Sequence, residues 1–121
     1  MIHLDANFLI AILRSEDSAS DLQRRRADQH IDISVIAWAE FLCGPVLPAE
    51  ATAGRSIVDN VESLTESDGQ LAADLFNHTG RRARSLRDCM IAAIAIRCGA
   101  RLATVNLRDF KRFEPFGLEL W

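Results

Sequence analysis

Short apolar or alternating runs recur along the chain, and each leads toward a longer segment with helical spacing. Ile2 to Asp5 alternates like a strand and runs straight into Asn7 to Leu13, whose apolar positions predict a helix. Ser18 to Arg26 is polar, with Ala19, Leu22 and Ala27 spaced for a second, exposed helix. Ile31 to Ser34 alternates again. Val35 to Cys43 is then apolar almost throughout, with Ser34 as its N-cap and Gly44-Pro45 as its stop, which predicts a helix buried on most sides.

Pro48 opens a further helix to about Asn60, and Val61 to Leu64 reads as a short strand. Asp68 is the expected cap of a helix running to Thr79, followed by a polar loop from Gly80 to Arg87. Asp88 heads a strongly apolar helix that Gly99 terminates in the left-handed C-cap position. Arg101 to Val105 reads as a buried strand, and a last short strand falls near Leu118 to Leu120. Strands alternating with helices over 121 residues predict an α/β fold: a short parallel sheet of four or five strands in a three-layer α/β/α arrangement. The length and the absence of any repeat or linker lead to the expectation of one domain over residues 1–121. Ligand sites of such sheets lie beyond the carboxyl ends of the strands.

Composition narrows the function classes. A hydrophobic fraction of 49% and a charged fraction of 26% suit a globular domain. No apolar run nears the roughly 18 residues that span a bilayer, and no basic stretch with a hydrophobic signal core opens the chain, so a cytoplasmic location without membrane contact is expected. Cys43, Cys89 and Cys98 lie in apolar helical segments without Cys-x-x-Cys or Cys/His pairing and read as reduced core residues. His3, His30 and His78 have no metal-ligand spacing, so a zinc site is not expected. The formal charge of −3 argues against a protein that coats nucleic acid, yet it becomes +1 once four particular carboxylates are set aside. Every basic side chain except Lys111 is an arginine.

Those carboxylates are Asp5, Glu40, Asp88 and Asp109. Asp5 ends the first strand, and Asp109 follows the Arg101 to Val105 strand, so the fold rule sends both to one rim. Glu40 sits in a helix with no clear polar face, where a carboxylate needs a partner. Asp88 heads the other apolar helix, a position that helix capping alone would also explain. Four carboxylates at one end of a sheet repel one another unless a divalent cation neutralises them, and oxygen-only ligands suit Mg²⁺ or Mn²⁺. Phosphodiester hydrolysis by a metal-activated water is the chemistry such a cluster performs. Asn7, Asn106 and Thr104 are neutral groups able to orient a carboxylate or a water. Arg81, Arg82, Arg84 and Arg87 form a basic run before Asp88 suited to phosphate oxygens, a track for an RNA substrate.

Asp5-Ala6-Asn7 after the first strand, Glu40 inside an apolar helix, Arg87-Asp88 opening another, and Ala103 to Phe110 near the end occur in an order that resembles the PIN-domain ribonucleases. The likeness is specifically to the VapC-type toxins of bacterial toxin–antitoxin pairs, and it covers the whole chain. The resemblance implies an α/β/α domain, often a homodimer, that cuts RNA with Mg²⁺ or Mn²⁺ through Asp5, Glu40, Asp88 and Asp109, and that a cognate antitoxin holds inactive. One departure is Ala6, where that family usually has Ser or Thr. It leaves room for a noncatalytic module that binds RNA or a protein. Other phosphoryl-transfer folds fit poorly. A haloacid-dehalogenase-like phosphatase needs a second Asp where Asn7 stands, a receiver domain needs a lysine that Lys111 is poorly placed to supply, and no Gly-x-Gly-x-x-Gly turn is present.

Overall fold

The computed structural model describes residues 1–121. Its first strand, β1 (Ile2–Leu4), gives way at once to α1 (Ala6–Arg14), because Asp5 adopts an extended conformation and its side chain accepts a hydrogen bond from the Ala6 amide. Ser15 caps α2 (Glu16–Arg26), the predicted exposed helix. The strand β2 (Ile31–Ser34) runs into α3 (Val35–Cys43), where the Ser34 hydroxyl accepts from the Ala37 amide at 3.1 Å. Then follow α4 (Pro48–Ile57), β3 (Asn60–Glu62), α5 (Glu66–His78), α6 (Leu86–Cys98), β4 (Arg101–Ala103), α7 (Leu107–Phe110), a 3₁₀ turn (Lys111–Phe116) and β5 (Glu119–Leu120).

All five strands are parallel, in the order β3-β2-β1-β4-β5. Every residue of β1 and β2 is buried, as expected of a parallel sheet with helices on both faces. Leu9, Ile12, Phe41, Leu75, Ile91 and Phe110 seal those faces. The chain builds outward from β1 in one direction, then returns to place β4 on the other side. The carboxyl ends of β1 and β4 therefore flank the point where strand order reverses, the place such sheets hold ligands.

Several expectations shift. The helix read from Val35 is buried only along Ala37 and Phe41, while Val35, Leu42 and Cys43 are exposed. Cys43 is thus a surface thiol, and Cys98 is half-buried; only Cys89 is a core residue. Thr65, not Asp68, caps α5: the Thr65 hydroxyl accepts from the Asp68 amide, and the Asp68 carboxylate accepts from the Thr65 amide, a reciprocal capping box. The helix α6 begins two residues before Asp88, and the stretch after β4, to which the sequence pattern assigns no element, is helical.

The Asp68 carboxylate, 1% exposed, also takes a 2.8 Å ion pair from Arg97, whose Nη2 reaches Glu62 on β3. Burial alone pushes Asp68 up; the Arg97 guanidinium and Thr65 outweigh it and hold the carboxyl below 3.8. A depressed carboxylate contributes stability above its unfolded pKa and loses it as pH falls. Arg97→Ala should cost about 2–3 kcal/mol at pH 7, because a buried charge loses its partner while the Arg97 end is partly solvated. Urea denaturation should show the gap between wild type and variant closing as pH drops below 3.8.

Candidate active site

Asp5 has both oxygens committed. Oδ1 accepts from the Ala6 amide at 2.9 Å, and Oδ2 accepts from the Thr104 hydroxyl at 2.9 Å. The Thr104 oxygen in turn accepts from the Asn106 amide at 2.9 Å, which leaves its proton for Asp5 and fixes the polarity of the chain. Thr104 follows β4 directly, so a single hydroxyl ties together the carboxyl ends of β1 and β4. Burial pushes the Asp5 carboxyl above 3.8, with Thr104, Ala6 and the more distant Arg87 pulling it back.

Glu40 projects from the middle of α3, and the Arg87 Nε lies 3.3 Å from its buried Oε1 without the alignment of a hydrogen bond. Burial raises its carboxyl above 4.5; Arg87 opposes this, while Asp5 and Asp88 add to it. Asp88 stands in the first turn of α6. Its carboxyl is raised above 3.8 by burial and next by Asp5, opposed by Arg112 and Arg87, and raised further by Asp109. Asp109, on α7, accepts from the Asn106 side-chain amide at 2.7 Å. Asp5 and Asp88 thus act electrostatically on Glu40, and Asp5 and Asp109 on Asp88, from separate elements at one end of the sheet.

The supporting residues divide. Thr104 and Asn106 each hold one of the carboxylates, whereas Asn7 is exposed and makes no hydrogen bond through its amide. Arg82 and Arg84 line a cleft of about 150 Å³ with Ser85, Asp88, Asp109 and Arg112. Arg87 turns to Glu40, at the end of a wider apolar groove of about 500 Å³ between α3 and α6. Arg81 turns away: its guanidinium bonds to Asn77 and lies over Phe76 on α5. Arg112, absent from the sequence expectations, has its Nη2 3.8 Å from Asp88 Oδ2. Its signal was the Phe110/Phe113 pair, both buried, whose i, i+3 spacing makes a helical turn and puts Asp109 and Arg112 on a shared face.

The histidines lie elsewhere. His3 is buried in β1, and His78 contacts the Asp74 carbonyl. His30 meets Asp32 at 2.9 Å and Asp59 at 3.3 Å, a trio with ligand atoms within 4.8 Å of one another that the linear spacing did not disclose. That trio is at the amino ends of β2 and β3, the far end of the sheet from Asp5.

A family model described as the PIN domain matches residues 2–114. The chain belongs to the PIN domain family. No curated protein matches it. Among solved structures, VapBC2 from Rickettsia felis bound to a DNA fragment from its promoter is similar to this PIN domain with a TM-score of 0.76 and 21% identity, covering 100% of this chain and 99% of that one. FitAcB from Neisseria gonorrhoeae gives 0.75 and 17% over 100% and 96%. VapC20 from Mycobacterium tuberculosis, described as a sarcin-ricin loop cleaving toxin, gives 0.62 and 21% over 84% and 85%. These likenesses extend the shared fold across the whole PIN domain and beyond its matched segment.

A carboxylate whose folded pKa is raised favours the fold when protonated and opposes it once ionised. Asp5, Glu40 and Asp88 thus weaken the metal-free protein as pH climbs from 3.8 for the aspartates, and from 4.5 for Glu40, through their raised values. With EDTA present, Asp88→Asn should raise Tm by a few degrees at pH 7, a gain that shrinks toward pH 4. A scanning-fluorimetry series showing no pH dependence of that difference would refute the like-charge contact.

Proposed function

We propose that this PIN domain is a metal-dependent endoribonuclease, the toxin of a toxin–antitoxin pair, working in the cytoplasm. The reading rests above all on the gathering of acidic side chains at the carboxyl end of the sheet, where Thr104 ties Asp5 across to β4, Asp88 and Asp109 line one cleft, and Glu40 faces Arg87 beside them. The upward push on Asp5, Glu40 and Asp88 agrees with it. The family membership and the fold shared with VapBC toxins support it, as does the description of VapC20 as a sarcin-ricin loop cleaving toxin.

The residues present fit a hard divalent cation. The donors are oxygens only, Glu40 Oε1 is buried without a hydrogen bond, and the repulsion among the carboxylates asks for a positive charge. Asp5, Asp88 and Asp109, with Glu40, would hold Mg²⁺ or Mn²⁺, which when bound would lower the pKa of a water and neutralise charge on the scissile phosphate. Thr104 would keep Asp5 in one rotamer and oppose the rise that burial gives its carboxyl, and Asn106 would hold the Asp109 rotamer. Arg82 and Arg84 would draw the RNA backbone toward the cleft, Arg87 would steady Glu40, and Arg81 would act only at the margin.

Purified protein should cut structured RNA with Mg²⁺ or Mn²⁺ and not with EDTA, and Asp5→Asn or Asp88→Asn should each lower the rate at least a hundredfold. Undiminished cleavage by both variants sinks the assignment. One observation favours the noncatalytic alternative: Ala6 is buried beside Asp5 and brings no hydroxyl. RNA bound without turnover by protein that also binds Mn²⁺ would establish that reading instead.

The partners in this proposal are an antitoxin protein and a second copy of the chain. Val35, Leu42 and Cys43 expose one apolar face of α3 beside the groove, the surface a homodimer would cover. Leu42→Glu should convert a dimer into a monomer in sedimentation equilibrium; a wild-type protein that is already monomeric removes this part.

A further inference from the structure

Arg112 is held in an unusual way for a surface arginine. Its side chain is 16% exposed, its guanidinium lies 4.7 Å from the centre of the Phe113 ring, and Phe113 itself is fully buried. Nε and Nη2 are both buried and make no hydrogen bond within the protein. These two nitrogens form the edge of a guanidinium that grips a carboxylate or phosphate with two parallel bonds. The only carboxylate near that edge, Asp88, stands 3.8 Å from Nη2, beyond hydrogen-bond reach. Burying charged donors without partners costs stability, so a fold that fixes them by aromatic stacking keeps them for something other than stability.

The edge belongs to the cleft of about 150 Å³ that Arg82, Arg84, Ser85, Asp88 and Asp109 complete. Three cations and two carboxylates line it, and a tetrahedral anion is small enough to enter. Arg112 differs from Arg82 and Arg84, whose side chains make no fixed contact with a site carboxylate. We propose that Arg112 is the phosphate-gripping residue of this site, its Nε and Nη2 donating to the two non-bridging oxygens of an RNA phosphodiester. The polymer named here rests on the nuclease reading; the anion-binding edge does not.

The test compares wild type, Arg112→Gln, Arg112→Lys and, as a control for lost charge, Lys111→Gln, an exposed neighbour outside the cleft. In EDTA, binding of inorganic phosphate is read by thermal shift and binding of a short single-stranded RNA by fluorescence anisotropy at several salt concentrations. Arg112→Gln should bind RNA about tenfold or more weakly and lower the salt slope by about 0.7, the value for one lost phosphate contact on a single strand. Arg112→Lys should keep the slope and recover part of the affinity, since the charge remains and the paired donors do not. Lys111→Gln should match wild type in phosphate binding. Weaker RNA binding with equal phosphate binding would assign the edge to the polymer alone; loss of both assigns it to the phosphate group.

A lower Tm for Arg112→Gln with unchanged RNA affinity and slope would make Arg112 a structural counter-ion of Asp88 and overturn the proposal. A wild-type protein that binds neither ligand overturns it as well. If Arg112→Gln fails to fold, Arg112→Lys decides by the same affinities. Cleavage by wild type in Mn²⁺ is scored separately: its absence sinks the nuclease reading and leaves the phosphate result standing, whereas normal RNA binding by Arg112→Gln sinks only this inference.

Discussion

The hydrogen bond from the Thr104 hydroxyl to Asp5 is the joint on which the rest of the site depends. It closes the carboxyl ends of two strands that are distant in the chain and adjacent in the sheet, next to a backbone bond from the Asp5 amide to the Ala103 carbonyl at 2.9 Å. Asp5 can be buried and still carry charge because this hydroxyl and the Ala6 amide solvate it in place of water. The family's usual hydroxyl after the first Asp is missing at Ala6, yet Asp5 does not lack a hydroxyl, since Thr104 supplies one from across the sheet.

Around that joint the charges are arranged in opposition. Glu40 and Asp88 are pushed toward protonation by burial and by Asp5, and two arginines resist: Arg87 against Glu40, and Arg112 against Asp88. Neither arginine completes a hydrogen bond with its carboxylate. A fold selected for stability alone would close those pairs or replace them with apolar side chains. Leaving them open keeps both the carboxylate oxygens and the guanidinium edges available to ligands of opposite charge, at the expense of stability without them.

How much of this was legible in the sequence follows from range. Ile31 to Ser34, the Ser34 cap and the Gly99 stop were readable because they depend on neighbours within four residues. The position of Asp5 was readable because the end of a parallel strand has a known address in the fold. The exposure of Cys43 and Leu42 was not, because which side of an all-apolar helix faces the core is decided by what packs on it, here α1, α6 and β2 against the side that buries Ala37 and Phe41. Asp68 resembled a cap because it is the second half of one, with Thr65 hidden three residues earlier. Arg112 was not legible because no element is assigned between Val105 and Leu118 from the sequence, and without a helical turn the i, i+3 relation to Asp109 has no meaning.

The trio at the other end of the sheet sharpens the distinction between proximity and function. His30, Asp32 and Asp59 already lie within 4.8 Å of one another, closer than any three of the acidic site residues. One oxygen of each carboxylate serves the sheet, Asp59 accepting from the Ile31 amide at 2.9 Å and Asp32 from the Asn60 amide at 3.0 Å, and both ring nitrogens of His30 face a carboxylate. The bonds to Ile31 and Asn60 help align β2 with β3, which gives the trio a structural role. At the Asp5 end both Asp5 oxygens and one of Asp109 are likewise engaged, whereas Glu40 and Asp88 make no side-chain hydrogen bond and lie under the like charge of their acidic neighbours. Carboxylates left without hydrogen bonds and under like-charge repulsion, more than the tightness of a cluster, distinguish this end of the sheet from the clasp at the other.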